Sequence, residues 1–223
     1  MTQLAIDLPH RTALGRADFL VSGCNAAAFD WIELWPQWPD GGLVLHGPEQ
    51  SGKSHLARLW QQRSGGVLLG GAGLRQAAPD QLASAGAVAV DDAEAAPEEA
   101  LLHLYNCCRE AGAGLLVVAR APPANWPIAL PDLASRLRAL AAVAIGPPDE
   151  ALLAAVLVKH FADRQVRVAP AVVGFLVPRM ERSFAAAARL AARLDRMALG
   201  AGRPIGVALA RRALAAAEDQ PDR

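Results

Sequence analysis

The stretch that most constrains this chain is GPEQSGKS, residues 47–54. It follows the apolar run GGLVLH and runs on into HLARLWQQR. The spacing is G-x-x-x-x-G-K-[ST], with Gly47, Gly52, Lys53 and Ser54 at the fixed positions. A loop of this kind turns successive backbone N–H groups inward around concentrated negative charge, and the glycines permit the tight wrap because they lack a Cβ. Lys53 then adds a point charge toward β- and γ-phosphates, and the Ser54 hydroxyl is placed to ligate Mg²⁺. A helix starting near Lys53 aims its positive dipole end at the anion. A glycine turn between a strand and a helix could share the spacing. Against that, the chain has only two lysines, Lys53 and Lys159, and the flanks are the strand and helix the motif requires. The expected ligand is ADP or ATP with Mg. Its loop contacts are Gly47, Pro48, Gln50, Ser51, Gly52, Lys53, Ser54 and His55.

Short apolar runs recur around this loop: 43–46, 67–70, 87–92, 114–119 and 141–145. Bounded by turn residues, they fit strands buried on both faces of a parallel sheet. Helical stretches at 25–35, 54–63 and 97–112 alternate with them, which implies a five-stranded α/β layer with helices on both faces. GPPDE (146–150) then breaks the pattern and supplies an N-cap aspartate. From there the chain reads as helices only: 150–165, 169–180, 183–200 and 204–218. The expected organisation is an N-terminal tail (1–15), an α/β nucleotide-binding base (16–147), a small all-helical lid (148–218) and a frayed end (219–223).

With 223 residues there is room for one α/β core and a small appended subdomain. The formal net charge is zero, so nothing in the bulk attracts nucleic acid or acidic membranes. The three cysteines, Cys24, Cys107 and Cys108, show no metal-ligand spacing, and their odd count fits a reducing compartment. There is no bilayer-length apolar run and no secretory signal pattern, so a cytoplasmic, non-membrane protein is expected.

A phosphate loop that works with Mg²⁺ needs a carboxylate at the end of a neighbouring strand. AVAV-Asp91-Asp92 follows about forty residues after the loop. A lone aspartate there would be an ordinary turn residue. Two in succession after an apolar strand place Asp91 toward Mg²⁺ and Asp92 where a water-activating carboxylate belongs.

The order of several segments resembles the AAA+ domain of the bacterial replication initiator DnaA, and more closely the Hda family, its short regulatory relatives. FLVSGCNAAA (19–28) is similar to the family's adenine-side segment, which implies contacts from Phe19, Val21 and Asn25. AVDD resembles its form of Walker B, and HLYNCCREAGAGLLVVARAPP (103–123) the stretch ending in sensor 1. LPDLASRL (130–137) is similar to the segment carrying the arginine finger, which the resemblance puts at Arg136. The sequence ends after the helical segment, which matches the short relatives without a helix-turn-helix domain. At the other end, Gln3, Leu4, Ile6 and Leu8 resemble a Q-L-x-L-x-L peptide that binds the DNA polymerase sliding clamp (its β subunit). Incidental leucines in a start region are the alternative.

Two positions depart from the pattern. Arg120 stands at sensor 1, where the family has a small polar or acidic residue. Ala185 stands where a sensor 2 arginine belongs, with Arg182 and Arg189 on the same helix face as candidates to replace it. Binding can rest on the loop alone, whereas efficient hydrolysis needs charge-stabilising groups. The resemblance therefore implies a weak intrinsic ATPase with ADP as resident, a finger acting on ATP held by DnaA, and contact with DNA only through the clamp. Self-association is a further expectation. Two other readings stay open: a nucleotide-bound, non-catalytic clamp adaptor, and a helicase-loader ATPase.

Overall fold

In a computed structural model, residues 19–201 and 204–218 are described; the tail that carries Gln3, Leu4, Ile6 and Leu8 lies outside them. They form two compact units that divide between Gly146 and Pro147.

The first unit holds a parallel five-stranded sheet. Its strands are β1 (Gly42–His46), β2 (Val67–Gly70), β3 (Ala87–Asp91), β4 (Gly114–Ala119) and β5 (Ala141–Ala144). Their spatial order is β2-β3-β4-β1-β5. In register, β1 sets His46 level with Ala119 of β4 and Ala144 of β5, and β3 sets Val90 level with Val117. The strand carrying the phosphate loop and the strand carrying the aspartates are therefore separated by β4. Ligands of such sheets collect at the carboxyl ends of strands where the order reverses, and β1 is that place.

Among the described residues, five α-helices belong to this unit: α1 (Ala26–Leu34), α2 (Lys53–Ser64), α3 (Pro79–Ala83), α4 (Glu98–Ala111) and α5 (Pro131–Ala139). Val44, Val88, Val90, Leu115 and Val117 share one cluster with Leu101 and Leu104 of α4 and Leu133 and Leu137 of α5. The alternation of strand side chains sends Leu43 and Leu45, both fully buried, to the opposite face. On α2, the Trp60 ring lies stacked on Trp38 at 5.2 Å between centroids and edge-on to Trp35 at 5.8 Å. The Trp38 indole N–H donates to the Trp31 carbonyl at 2.6 Å.

Burial on both faces holds for β1, β3 and β4. The sequence reading extended it to all five runs, and the edge strands differ: β2 is half-buried, and β5 exposes Ala142 and Ala144. A strand with one neighbour is covered less fully than a central one. Periodicity alone carries no sign of which strand sits at the edge.

The second unit is helical: α6 (Glu150–Asp163), α7 (Pro170–Leu176), α8 (Phe184–Ala201) and α9 (Val207–Glu218). As the breaker sequence implies, Asp149 caps α6, its carboxylate accepting the Leu152 N–H at 2.7 Å. The stretch 169–180 splits into α7 and a short turn at Val177–Arg179, because Pro178 brings no N–H to continue the helix. Leu153, Leu157, Phe161, Leu176 and Leu194 form its core.

Candidate nucleotide-binding site

The loop from Gly47 to Gly52 joins the end of β1 to the start of α2. Gly52 is the residue before the helix and takes a left-handed backbone (φ 94°), which a side chain would strain. At Gly47 the constraint is closeness, since an added Cβ would sit 2.7 Å from the Ile145 carbonyl oxygen. Gln50 is the loop's other left-handed residue, exposed at its tip. The Lys53 ammonium folds back to donate to the carbonyl oxygens of Gly47 (2.8 Å) and Pro48 (2.6 Å). Burial pulls its pKa down, while Asp91, Glu94 and Glu49 oppose that shift and Arg120 adds to it. A bound anion would relieve the same desolvation. The Ser51 hydroxyl is buried without a protein hydrogen-bond partner.

A cleft of about 200 Å³ opens beside this loop, lined by Glu49, Gln50, Lys53, Ser54, Asp91, Asp92, Val118, Ala119 and Arg120. The fold thus brings Lys53 and Ser54 to the same space as both aspartates. Asp91 ends β3 and its carboxylate accepts the Asp92 N–H at 3.0 Å; Asp92 follows with a left-handed backbone. Because β4 intervenes, its C-terminal turn delivers Arg120 between them. The Arg120 guanidinium Nε lies 4.0 Å from Asp92 Oδ1, with both side chains more than half exposed.

The turn holding Arg120 is fixed by residues that sequence spacing did not pick out. Glu94 Oε1 accepts the N–H groups of Arg120 (2.8 Å) and Ala121 (3.2 Å). The Trp126 indole N–H donates to the Ala121 carbonyl at 2.7 Å. Glu94 carries no signal beyond its place three residues after Asp91.

Phe19 is buried against the C-terminal end of the loop, edge-on to His55 (5.3 Å) and stacked on Phe29 (5.9 Å). Its ring is the nearest neighbour of a Cβ added at Gly52. Asn25 is also buried, and both ends of its amide serve its own segment. The oxygen accepts the Ser22 N–H (2.7 Å), and the nitrogen donates to the Leu20 carbonyl (2.9 Å). It shapes the segment that presents Val21, which is half exposed. Phe19, Val21 and Asn25 do not line the cleft that holds Lys53 and Asp91.

Arg136 lies on α5 and does not line that cleft either. Its Nε donates to Asp132 Oδ1 at 2.9 Å, and its guanidinium lies 5.5 Å over the Tyr105 ring. The Asp132 hydrogen bond pushes its pKa up. Glu98, at the start of α4, accepts the Ala129 and Leu130 N–H groups at 2.9 and 2.7 Å and so fixes where α5 begins. Among the arginines of the helical unit, Arg182 pairs with Glu150, and Arg189 with Glu181 at 3.4 Å.

No protein-family model matches the sequence, and no curated protein matches it. Solved structures do match the fold. Domain III of the Thermotoga maritima replication initiation protein DnaA superposes with a TM-score of 0.76 at 15% identity, covering 93% of this chain and 98% of that one. AMPPCP-bound DnaA from Aquifex aeolicus gives 0.66 at 13% identity, over 93% of this chain and 70% of that one. The Thermotoga maritima RuvB Holliday junction branch migration motor gives 0.63 at 14% identity, over 92% and 72%. With its five parallel strands, flanking helices and helical second unit, the chain has the P-loop AAA+ fold and is related in fold to DnaA.

Proposed function

We propose that this chain is an Hda-type regulator of chromosome replication initiation, which binds the sliding clamp and stimulates hydrolysis of ATP held by a DnaA-type initiator. The observation that carries the reading is a cleft that brings Lys53 and Ser54 of the phosphate loop together with Asp91, Asp92 and Arg120, on a fold similar to that of DnaA domain III. Bound Mg–ADP or Mg–ATP would supply phosphate oxygens and a divalent cation to this cleft. The loop amides and Lys53 would hold the phosphates, with Ser54 and Asp91 on the cation. The unpartnered Ser51 hydroxyl and the desolvated Lys53 fit such an anion.

Arg120 sets the division of labour. The positive charge of a guanidinium at 4.0 Å from Asp92 partly offsets the negative charge of the carboxylate that would activate water, which supports weak turnover of the chain's own nucleotide. The residue offered to a second nucleotide is Arg136. It is held outside the chain's own cleft by Asp132 and Tyr105, on a helix whose start Glu98 fixes. Arginine suits that role because its planar fork meets developing phosphate charge. Gln3, Leu4, Ile6 and Leu8 would supply the clamp-binding peptide, and DNA would then be met through the clamp alone.

The test is initiator ATP hydrolysis measured with and without this protein on clamp-loaded DNA. Wild type is expected to stimulate, and Arg136→Ala to bind clamp and nucleotide without stimulating. Absence of stimulation by wild type favours the second reading, a non-catalytic clamp adaptor, which the Arg120–Asp92 pair also supports. Full stimulation by Arg136→Ala removes the finger.

A further inference from the structure

Away from the cleft, α3 and α4 bring together three side chains of different donor type. His103 and Cys107 stand four residues apart on α4 and so share one helix face. Asp80, in the first turn of α3, packs against them. Cys107 Sγ lies 3.0 Å from Asp80 Oδ1 and 3.8 Å from His103 Nε2, and one ligand atom from each residue falls within 4.8 Å of the other two. None of the three lines the nucleotide cleft. Spacing between cysteines could not disclose the cluster, because only one cysteine takes part and the aspartate comes from another element.

From this geometry we infer that Asp80, His103 and Cys107 form a binding site for one Zn²⁺ or a similarly borderline-soft divalent cation. A tetrahedral zinc with Zn–S of about 2.3 Å and Zn–N of about 2.1 Å spans an S···N edge of about 3.6 Å. The observed 3.8 Å needs almost no adjustment. The S···O edge of the same tetrahedron is about 3.5 Å, half an ångström longer than the present S–H···O hydrogen bond. Asp80 is exposed, so a small rotation of its carboxylate opens that edge. Sulfur and imidazole together select zinc-like ions over Mg²⁺ and Ca²⁺, which take oxygen ligands. Cys107 forms the buried floor, and exposed Asp80 and His103 form the mouth. The ion thus has an entry path and one coordination position left for water. Its structural effect follows from length: α3 has five residues, too few to hold a helix by itself, and the ion would clip it to α4.

The experiment uses the full chain, reduced and stripped with a chelator, with Co²⁺ as the spectroscopic probe. One equivalent of Co²⁺ is expected to give a thiolate-to-cobalt charge-transfer band in the near ultraviolet that one equivalent of Zn²⁺ abolishes. Cys24→Ser should keep the band and Cys107→Ser should lose it. Should Cys107→Ser not fold, the exposed-site variants Asp80→Asn and His103→Gln carry the test, each weakening Co²⁺ binding by about tenfold or more. A band that is absent from wild type, or that survives in Cys107→Ser, overturns the site. So does Co²⁺ binding unchanged in both Asp80→Asn and His103→Gln.

Discussion

Gly47→Ala gives the most direct test of how the phosphate loop is built. A Cβ at this position meets Ile145 O at 2.7 Å, Ile145 Cβ at 3.1 Å and Ile145 Cα at 3.4 Å. Two of these are backbone atoms of the residue just past β5, which is itself held by the Ile145 N–H to the His46 carbonyl at 2.8 Å. Carbon–oxygen contacts settle near about 3.3–3.6 Å, so loop and strand end must separate by about 0.6 Å or more. Overpacking of this kind costs about 1–3 kcal/mol, and Tm falls by about 2–4 °C for each kcal/mol in a chain of this size. The same displacement moves the first residue of the anion cradle. The rise in Tm produced by ADP should therefore shrink as well, corresponding to at least about tenfold weaker binding. Gly73→Ala is the control: nothing lies within 4 Å of its added Cβ, and its Tm and ADP response should match wild type. The assay is thermal unfolding with and without Mg–ADP. A Gly47→Ala protein with wild-type Tm and wild-type ADP response would refute the reasoning.

Other outcomes follow from the site. Arg120→Asn should leave Tm within about 4 °C of wild type, because an exposed ion pair contributes at most about 1 kcal/mol. It should also raise the chain's own ATP hydrolysis by freeing Asp92, and an unchanged rate in a turnover assay would count against the offset described above. Replacing Gln3 and Leu4 by alanine should abolish clamp binding in a pull-down without altering Tm; undiminished binding rules out the tail as the docking peptide. Burial pushes the Cys108 thiol up to about 12, so at pH 8 it stays protonated and unreactive. Brief alkylation of native protein followed by mass spectrometry should mark half-buried Cys24 and spare Cys108, whereas modification of Cys108 would show that α4 opens.

Much of the fold is written locally. GPEQSGKS dictates a strand, a tight loop and a helix, and GPPDE dictates a break and a cap; both describe backbone events within a few residues of their cause. Strand order is different, because an apolar run says that a strand is covered and not which neighbour covers it. The placement of β4 between β1 and β3 had no local signal, and it is this placement that sets Arg120 beside Asp92. Glu94 and Glu98 were illegible for the same reason. Each accepts backbone N–H groups 26 to 32 residues away, and their sequence surroundings look like ordinary helix-start acids. Asn25 shows the reverse case. The resemblance to an adenine-side segment singled out Asn25 for its side chain, and in the structure that buried amide is occupied by the backbone of Ser22 and Leu20. Its contribution is to fix a turn.

The indole placement has an optical consequence. Trp60 sits on the helix that begins at Lys53, locked in a stack with Trp38 and edge contact with Trp35, and Trp126 tethers the turn that carries Arg120. Both walls of the cleft are thus joined through one short element to a buried chromophore. A movement of α2 alters exciton coupling and quenching within the stacked group, and a movement of the Arg120 turn alters emission from Trp126. Single Trp60→Phe and Trp126→Phe variants would separate the two signals, so that each wall can be followed by its own intrinsic fluorescence without an added dye.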